Sequence, residues 1–201
     1  MSEPFRTRTF VAVPPQERPV RTRSAVRVIV TDGSSVLLLS DTDPGVAGSR
    51  WWVTPGGGID AGEQPLQAAV RELAEETGRT VATDELVGPV MRRLVIHGYS
   101  DQVLAQTELF YLLTVAEPFE LDVSGFTAEE KLTIKAWDWL PIERLQLITD
   151  PVWPGDLAEL IALGVHGGEW PREAGVVEES TVNVGALGER IALDWPGFRE
   201  P

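Results

Sequence analysis

Acidic side chains are crowded between Glu63 and Glu76, with one arginine among them. Glu72, Glu75 and Glu76 are three and four residues apart, so on an α-helix they share one face. Like charges at this spacing destabilise a helix by a few tenths of a kcal/mol per pair, and Arg71 offsets only part of that repulsion. A solvated helix face is one interpretation, since glutamate is a good helix former. Carboxylates are also the ligands that Mg²⁺ and Mn²⁺ prefer, so the crowding indicates a divalent metal site suited to phosphate chemistry.

A glycine-rich turn precedes these carboxylates at residues 55–58. Successive glycines permit backbone conformations that are closed to other residues and let the main chain approach a ligand. Residues 65–77 then predict a helix, because apolar residues recur at spacings of three and four and proline suits a first turn. Gly78 suits the helix end. Turn and helix together place open backbone groups beside the carboxylates.

The string GGIDAGEQPLQAAVRELAEETGR resembles the signature of the Nudix hydrolase family, G-x5-E-x7-R-E-U-x-E-E-x-G-U, in which U is a bulky aliphatic residue. Every spacing of the signature is kept. The departure is Arg79, which stands where the family has an aliphatic residue, and Val81 is expected to fill that space. The matching residues are Gly57, Glu63, Arg71, Glu72, Leu73, Glu75, Glu76 and Gly78.

The resemblance implies an enzyme that uses Mg²⁺ or Mn²⁺ to cleave the pyrophosphate linkage of a nucleoside diphosphate derivative. ADP-ribose, a nucleoside triphosphate and a dinucleoside polyphosphate are examples of such a substrate. It further implies that Glu72, Glu75 and Glu76 bind the cation together with the carbonyl oxygen of Gly57. Glu72 is the first choice for the carboxylate that orients or deprotonates the attacking water.

Two further roles follow from the resemblance. Arg71 is expected to hold one carboxylate, Glu63 or Glu75, through a bidentate ion pair, and so to fix its rotamer. Glu63 and Arg71 thereby join the predicted catalytic set. An extra carboxylate from another loop is expected at Glu129 or Glu130, and a solvated loop is an equally good interpretation of these two residues.

Substrate contacts outside the signature are predicted at an aromatic pair and at three arginines. Trp51 and Trp52 directly precede the glycine turn, and side chains alternate across a strand, so one indole would be placed to stack on a base. The alternative is that both indoles pack into the core, since tryptophan buries much apolar area. Arg50, Arg92 and Arg93 are candidates for phosphate contacts, with ordinary surface positions as the alternative.

Strands surround a few helices without regular alternation, which favours a mixed α/β class. The resemblance specifies a Nudix-like α/β/α sandwich with a mixed sheet. We expect a basic, Pro- and Arg-rich N-terminal extension at 1–23, a Nudix domain at 24–165, and a C-terminal extension of unknown structure at 166–201. The arginines from Arg6 to Arg27 favour a solvated arm over an arm that binds a partner or nucleic acid.

Hydrophobic patterning and turn residues predict the remaining elements. A hairpin turning at Asp32-Gly33 is expected first. The predicted strands are 24–40 (as the hairpin), 51–53, 87–96, 107–115 and 132–139, and the predicted short helices are 141–147 and 156–163.

Composition restricts the class of protein. The 201 residues suit one domain, and the absence of cysteine excludes disulfides, thiolate metal sites and a cysteine nucleophile. No apolar run approaches the roughly 20 residues of a membrane span, and residues 1–27 lack a secretory signal, so a cytoplasmic location is expected.

The net charge of −14 opposes attraction to nucleic acid and requires cations to bridge the chain to an anionic substrate. A small nucleotide is therefore the expected partner, and a nucleic acid is not. A homodimer that exchanges the N-terminal extension is a further expectation. Two other functions stay open: a regulator that senses a nucleotide without cleaving it, and nucleic-acid-directed hydrolysis such as cap removal, which only the basic N-terminus supports.

Overall fold

In the computed structural model, the described part of the chain comprises residue 8, residues 10–167 and residues 169–195. Most of it forms one mixed sheet with helices on both faces. The strands are β1 (Val20–Thr31), β2 (Ser35–Asp41), β3 (Trp51–Val53), β4 (Val87–Gly98), β5 (Val103–Thr114), β6 (Ala136–Pro141), β7 (Val152–Trp153) and β8 (Arg172–Glu178). The helices are α1 (Pro65–Thr77), α2 (Glu130–Thr133), α3 (Leu157–His166) and α4 (Ala186–Asp194), with 3-10 turns at Pro15–Glu17, Thr83–Glu85, Val123–Gly125 and Ile142–Leu147.

The strand order is β7-β3-β2-β1-β5-β4-β8, and β6 pairs with β2. β1 and β5 are parallel along their whole length, from Val20 opposite Val103 to Thr31 opposite Thr114. β4 and β5 are antiparallel, whereas β4 and β8 are parallel. The mixed α/β fold predicted from the sequence is therefore confirmed.

Alternating side chains of β1 divide the core into two layers. Val28 and Val30 are fully buried on the face that carries α1, and Ile29 is fully buried on the opposite face, against α3. This period of two is the pattern of a strand covered on both sides. It makes β1 the centre of the fold and fixes one side of it beneath α1.

Helix α1 has the predicted bounds. Ala69 and Leu73 are fully buried, and Leu66 and Val70 pack at the margin of the same cluster. The helix ends at Gly78, whose φ of 74° is left-handed and whose amide donates to the carbonyl of Ala74 at 2.9 Å. A glycine suits this position because it carries no Cβ.

The predicted strand at 132–139 is wrong in its first half, where α2 precedes β6. Thr127 and Glu130 exchange hydrogen bonds: the Thr127 amide donates to Glu130 at 2.7 Å, and the Glu130 amide donates to the Thr127 hydroxyl at 3.2 Å. Such a reciprocal pair starts a helix. Local capping therefore outweighs the strand-like composition of the residues that follow.

The segments outside the predicted domain add structure to it. β8 extends the sheet beside β4, and α4 packs over a small cluster that includes Ile96 and Val103. β1 begins at Val20, and Arg18, only 6% exposed, donates to the carbonyls of Tyr99 and Asn183 at 3.1 Å. A solvated arm is therefore wrong for Arg18. The predicted domain bounds stay a prediction.

Other predicted elements lie close to their expected positions. The turn at Asp32-Gly33 is present, with Gly33 at a φ of 90° and the Asp32 carboxylate accepting the Ser35 amide at 2.6 Å. The short helix expected at 141–147 is the 3-10 turn Ile142–Leu147, and the helix expected at 156–163 is α3, which runs three residues further. Among the helices of the described ranges, none is long and apolar enough to cross a membrane.

Candidate active site

A cleft of about 690 Å³ opens beside α1 and the glycine turn. One wall is acidic and comes from α1 and from the residues around the start of α2; the facing wall is basic and comes mainly from β1. The acidic residues on the α1 and α2 side are Glu72, Glu75, Glu76, Glu129 and Glu130, and the arginines that line the cleft are Arg8, Arg23, Arg27 and Arg71.

Arg71 ties three carboxylates to the glycine turn. Its guanidinium donates to both oxygens of Glu63, from Nε at 2.9 Å and from Nη2 at 2.8 Å. Nη1 donates to Glu72 at 2.7 Å and to Glu75 at 3.3 Å, and Nη2 also donates to the carbonyl of Gly58 at 2.9 Å. Hydrogen bonds from Arg71 lower the pKa of Glu63. The geometry is that of a brace with a bidentate pair at Glu63.

Two glutamates of α1 are buried rather than solvated. Glu72 is 7% exposed and Glu76 is 4% exposed, whereas the side chain of Glu75 is 45% exposed. Burial raises the pKa of Glu72, which Arg71 only partly offsets. Burial also raises the pKa of Glu76 well above its usual value, helped by the negative charge of Glu130. Desolvated carboxylates without enough cations are the environment that a bound metal ion would stabilise.

Gly57 lies directly under the carboxylate of Glu72. A Cβ at Gly57 would meet Glu72 Oε2 at 2.5 Å, so only glycine lets this carboxylate approach the main chain so closely. The Gly57 carbonyl accepts the Val26 amide at 2.9 Å, and its second lone pair is not used by that bond.

The donor set fits a hard divalent cation, because it consists of carboxylate and carbonyl oxygens. In the described ranges, however, no three acidic or histidine side chains are arranged closely enough to hold an ion as they stand. Arg71 holds Glu72 and Glu75, and Glu76 accepts the Gly56 amide at 2.6 Å. Ion binding would therefore require these carboxylates to rotate, which is a side-chain movement within the same cleft.

Glu129 and Glu130 both line the cleft. Glu129 lies 3.6 Å from a guanidinium nitrogen of Arg8, and Glu130 caps α2 through Thr127. The two predicted extra carboxylates are thus brought to the site, and their role stays a prediction. Away from the cleft, Val81 is buried in the core as expected, and the guanidinium of Arg79 lies over the ring of Phe119 at 4.8 Å.

Sequence reasoning missed the basic wall. Arg23 was expected in a solvated arm, and Arg27 was counted with that arm although it fell inside the predicted hairpin; both lie on β1 and line the cleft. Their separation by four residues puts them on the same face of a strand, and that spacing was the available signal. Arg8 also lines the cleft, where it pairs with Asp101 at 2.7 Å and lies 4.3 Å from the ring centre of Tyr99.

The tryptophans and arginines predicted to contact substrate do not line the cleft. Trp51 is 2% exposed and stacks on Trp153 with ring centres 5.1 Å apart, and Trp52 packs against the opposite core layer. Trp51 is therefore in the core and the partly buried Trp52 packs against it, which favours the alternative interpretation. Arg50 pairs with Asp150 at 2.7 Å on the surface.

The two arginines of β4 have partners on other strands. Arg92 pairs with Glu173, and Arg93, 3% exposed, pairs with Glu108 and Glu179. A short run of two arginines gives no sign of such partners, because these lie far along the chain. Neither arginine is placed to contact a substrate in the cleft.

Comparison with known proteins identifies the family. The chain is 33% identical to an RNA pyrophosphohydrolase of Agrobacterium fabrum over 107 residues, which is 50% of this chain and 63% of that relative. It is 30% identical to an RNA pyrophosphohydrolase of Brucella anthropi over 174 residues, 77% of this chain and 94% of the relative.

Solved structures show the same fold. A mutator MutT protein from Bacillus halodurans superposes with a TM-score of 0.53 at 22% identity, covering 79% of this chain and 91% of that one. The dihydroneopterin triphosphate pyrophosphohydrolase of E. coli gives a TM-score of 0.50 at 20% identity, covering 78% and 99%. The family model of the NUDIX domain matches residues 21–161, and the chain therefore belongs to the Nudix family.

Proposed function

We propose that this protein is a divalent-metal-dependent hydrolase that cleaves the pyrophosphate linkage of a nucleoside diphosphate derivative. The observation that carries the proposal is the cleft itself, in which the carboxylates of the family signature face a wall of arginines. Carboxylates suit a cation and arginines suit phosphate oxygens. Family membership and the complete set of signature glutamates support the same conclusion.

Glu72, Glu75 and Glu76 would hold the metal, with the carbonyl of Gly57 as a further oxygen ligand. When bound, Mg²⁺ or Mn²⁺ supplies Lewis-acid stabilisation of the negative charge that develops at phosphorus and lowers the pKa of a coordinated water. The fit rests on the burial of Glu72 and Glu76 and on the close approach of Glu72 to Gly57.

The chain's own residues divide the remaining work. Arg71, anchored by Glu63, holds Glu72 and Glu75 in reach of the cleft. Glu72 is our first choice for the carboxylate that orients or deprotonates the attacking water, because Arg71 holds it in the cleft directly beside the glycine turn. Glu130, which also lines the cleft, is the alternative.

Arg8, Arg23 and Arg27 would contact the phosphates from the basic wall. RNA carries a pyrophosphate linkage only at its 5′ end, since its internal linkages are monophosphate diesters. The relatives named RNA pyrophosphohydrolases favour such an end as a second candidate substrate. The net charge of −14 opposes binding of a long RNA and favours a small nucleotide.

A substrate panel in Mg²⁺ tests the proposal, with products separated by chromatography. It contains ADP-ribose, a nucleoside triphosphate, a dinucleoside polyphosphate and an RNA with a 5′-triphosphate. We expect cleavage of at least one at the pyrophosphate linkage by the parent protein, and cleavage slowed about 100-fold or more in a Glu76→Gln variant purified in parallel. Tight binding of a panel nucleotide without any cleavage would contradict the proposal and favour a nucleotide-sensing regulator.

A further inference from the structure

A chain of buried ion pairs runs through the sheet behind the cleft. It consists of Arg27 on β1, Glu108 on β5, Arg93 on β4 and Glu179 just after β8, and we call it the buried ion-pair chain. Glu108 is fully buried; its Oε1 accepts from Arg27 Nε at 2.9 Å and its Oε2 accepts from Arg93 Nε at 2.7 Å. Burial would raise the pKa of Glu108, but Arg93 and Arg27 lower it to about 2. It is therefore ionised at neutral pH.

Glu179 forms the far end of this chain and lies outside the part that the family model matches. Its side chain is 5% exposed and accepts both terminal nitrogens of Arg93, at 2.5 and 2.7 Å. Its backbone is held too: its amide donates to the Ile96 carbonyl at 3.0 Å, and its carbonyl lies 2.6 Å from Nδ1 of His97. The carboxylate thus has one position and one partner.

The near end of the chain reaches the active site. Arg27 Nη1 donates to the Gly56 carbonyl at 3.4 Å, and the Gly56 amide donates to Glu76 at 2.6 Å. Only glycine fits at position 56, since its φ is 141° and a Cβ there would lie 2.2 Å from the Val26 carbonyl. Arg27 and Glu76 therefore form hydrogen bonds with the two peptide units on either side of Gly56.

Glu179 affects the position of Arg27 because it completes the charge balance of the buried ion-pair chain. With Glu179 in place, two guanidiniums face two carboxylates. Arg93 donates from one nitrogen to Glu108 and from the other two to Glu179. Without that charge, Arg27 and Arg93 would share the single carboxylate of Glu108. Arg93 would turn toward Glu108 and compete for its oxygens. The Arg27–Glu108 hydrogen bond, which orients Arg27 toward the glycine turn, would therefore weaken.

We infer that Glu179 is a positioning residue for the active site, and that it acts on the Gly56 peptide and Glu76 through the buried ion-pair chain. The inference rests on the proposed function for the role of Glu76. It makes the segment after the matched domain a working part of the site rather than an appendage.

The test compares Glu179→Gln with Glu173→Gln, a matched control at the solvent-exposed start of β8. Turnover is measured with saturating Mg²⁺, and Mn²⁺ binding is measured on the same proteins by electron paramagnetic resonance. We expect Glu179→Gln to lower kcat and weaken Mn²⁺ binding by roughly 10-fold or more, the usual effect of losing a residue that orients a ligand. KM should change little, and the control should match the parent.

Glu179→Asp supplies the graded comparison, because it keeps the charge but shortens the reach by one methylene. An intermediate loss of both kcat and Mn²⁺ affinity is expected, and this variant carries the test if Glu179→Gln does not fold. Parent-like Mn²⁺ affinity and kcat in whichever of the two variants is folded would overturn the inference. A parent protein that binds Mn²⁺ but cleaves nothing would instead overturn the proposed function, and the Mn²⁺ comparison would still decide the role of Glu179.

Discussion

Two groups of charges in this molecule contain similar residues and differ in their balance. At the cleft, Glu63, Glu72 and Glu75 share Arg71, and Glu76 accepts the Gly56 amide. In the buried ion-pair chain, Glu108 and Glu179 face Arg27 and Arg93, and each carboxylate uses both oxygens. Negative charge is thus in excess among the carboxylates around Arg71 and Glu76, whereas the charges of the buried ion-pair chain cancel.

This difference in charge balance indicates which of the two groups binds a ligand. A paired and desolvated charge is held by its partner, so losing one member of the pair costs much stability. A desolvated carboxylate in excess costs stability as it stands, and a cation that binds there removes the cost. Mutations at the balanced group should therefore damage folding most, and affect activity through the position of Arg27, whereas mutations at the unbalanced group should damage activity directly.

The largest effect should come from breaking the balanced group. Arg93→Ala leaves Glu179 buried without a cation and leaves Glu108 with Arg27 alone, and such a loss costs about 3–5 kcal/mol of unfolding free energy. Arg92→Ala, the neighbouring control, removes only a pair with the exposed Glu173 and should cost about 0–1 kcal/mol. Urea denaturation of both variants measures the contrast. Equal losses would remove the distinction between the two groups.

Glu76→Gln should do the reverse. The variant keeps an acceptor for the Gly56 amide and removes a charge that burial disfavours, so its metal-free melting temperature should equal or exceed that of the parent. Its kcat should fall about 100-fold or more, because metal assistance is worth several kcal/mol and about 1.4 kcal/mol corresponds to tenfold in rate. Circular dichroism and steady-state kinetics check both halves. Normal turnover would show that Glu76 is not a ligand.

His97, whose Nδ1 lies beside the Glu179 carbonyl, adds a pH-dependent test of the buried group. Burial lowers the pKa of His97 to about 4 in the folded protein, while the unfolded chain takes up the proton near pH 6.5. The stability it contributes is complete above pH 6.5 and is lost as pH falls toward 4, on the order of 3 kcal/mol. His97→Gln should flatten the decline of stability between pH 6.5 and 4, measured by denaturation at each pH. An unchanged slope would contradict this.

The smallest effect is expected at Glu75, the exposed member of the unbalanced group. Its pair with Arg71 is 3.3 Å long and 45% exposed on the glutamate side, and relief of repulsion offsets its loss. Without metal, Glu75→Gln should stay within about 0.5 kcal/mol of the parent. In saturating Mg²⁺ the parent should melt higher, by differential scanning fluorimetry. If neither Mg²⁺ nor Mn²⁺ changes the melting temperature of the parent, Glu75 is an ordinary surface residue and not a metal ligand.

The part of the site that the sequence predicted is the local part. Helix α1, its end at Gly78 and the strand Trp51–Val53 were all placed correctly, because helix periodicity and turn residues act over a few positions. The signature glutamates come with that helix, so they could be named without any knowledge of the sheet.

The rest depends on partners that are distant in sequence. Trp51 is buried because it stacks on Trp153, and Arg93 is buried because Glu179 reaches it from a segment that showed no periodicity. Arg23 and Arg27 were counted with a basic arm because of their charge, although Arg27 fell inside the predicted hairpin and the two residues have the spacing of one strand face. Long-range pairing decides each of these cases, and one sequence does not reveal it.

The most direct test of the account is the dependence of turnover on metal. The parent protein is given the substrate it cleaves best, first in excess EDTA and then with Mg²⁺ or Mn²⁺ restored. We predict no turnover with the chelator and full recovery with either cation, because the excess carboxylates of the cleft cannot hold an anionic substrate unaided. Full turnover in excess EDTA would contradict the metal site at Glu72, Glu75 and Glu76.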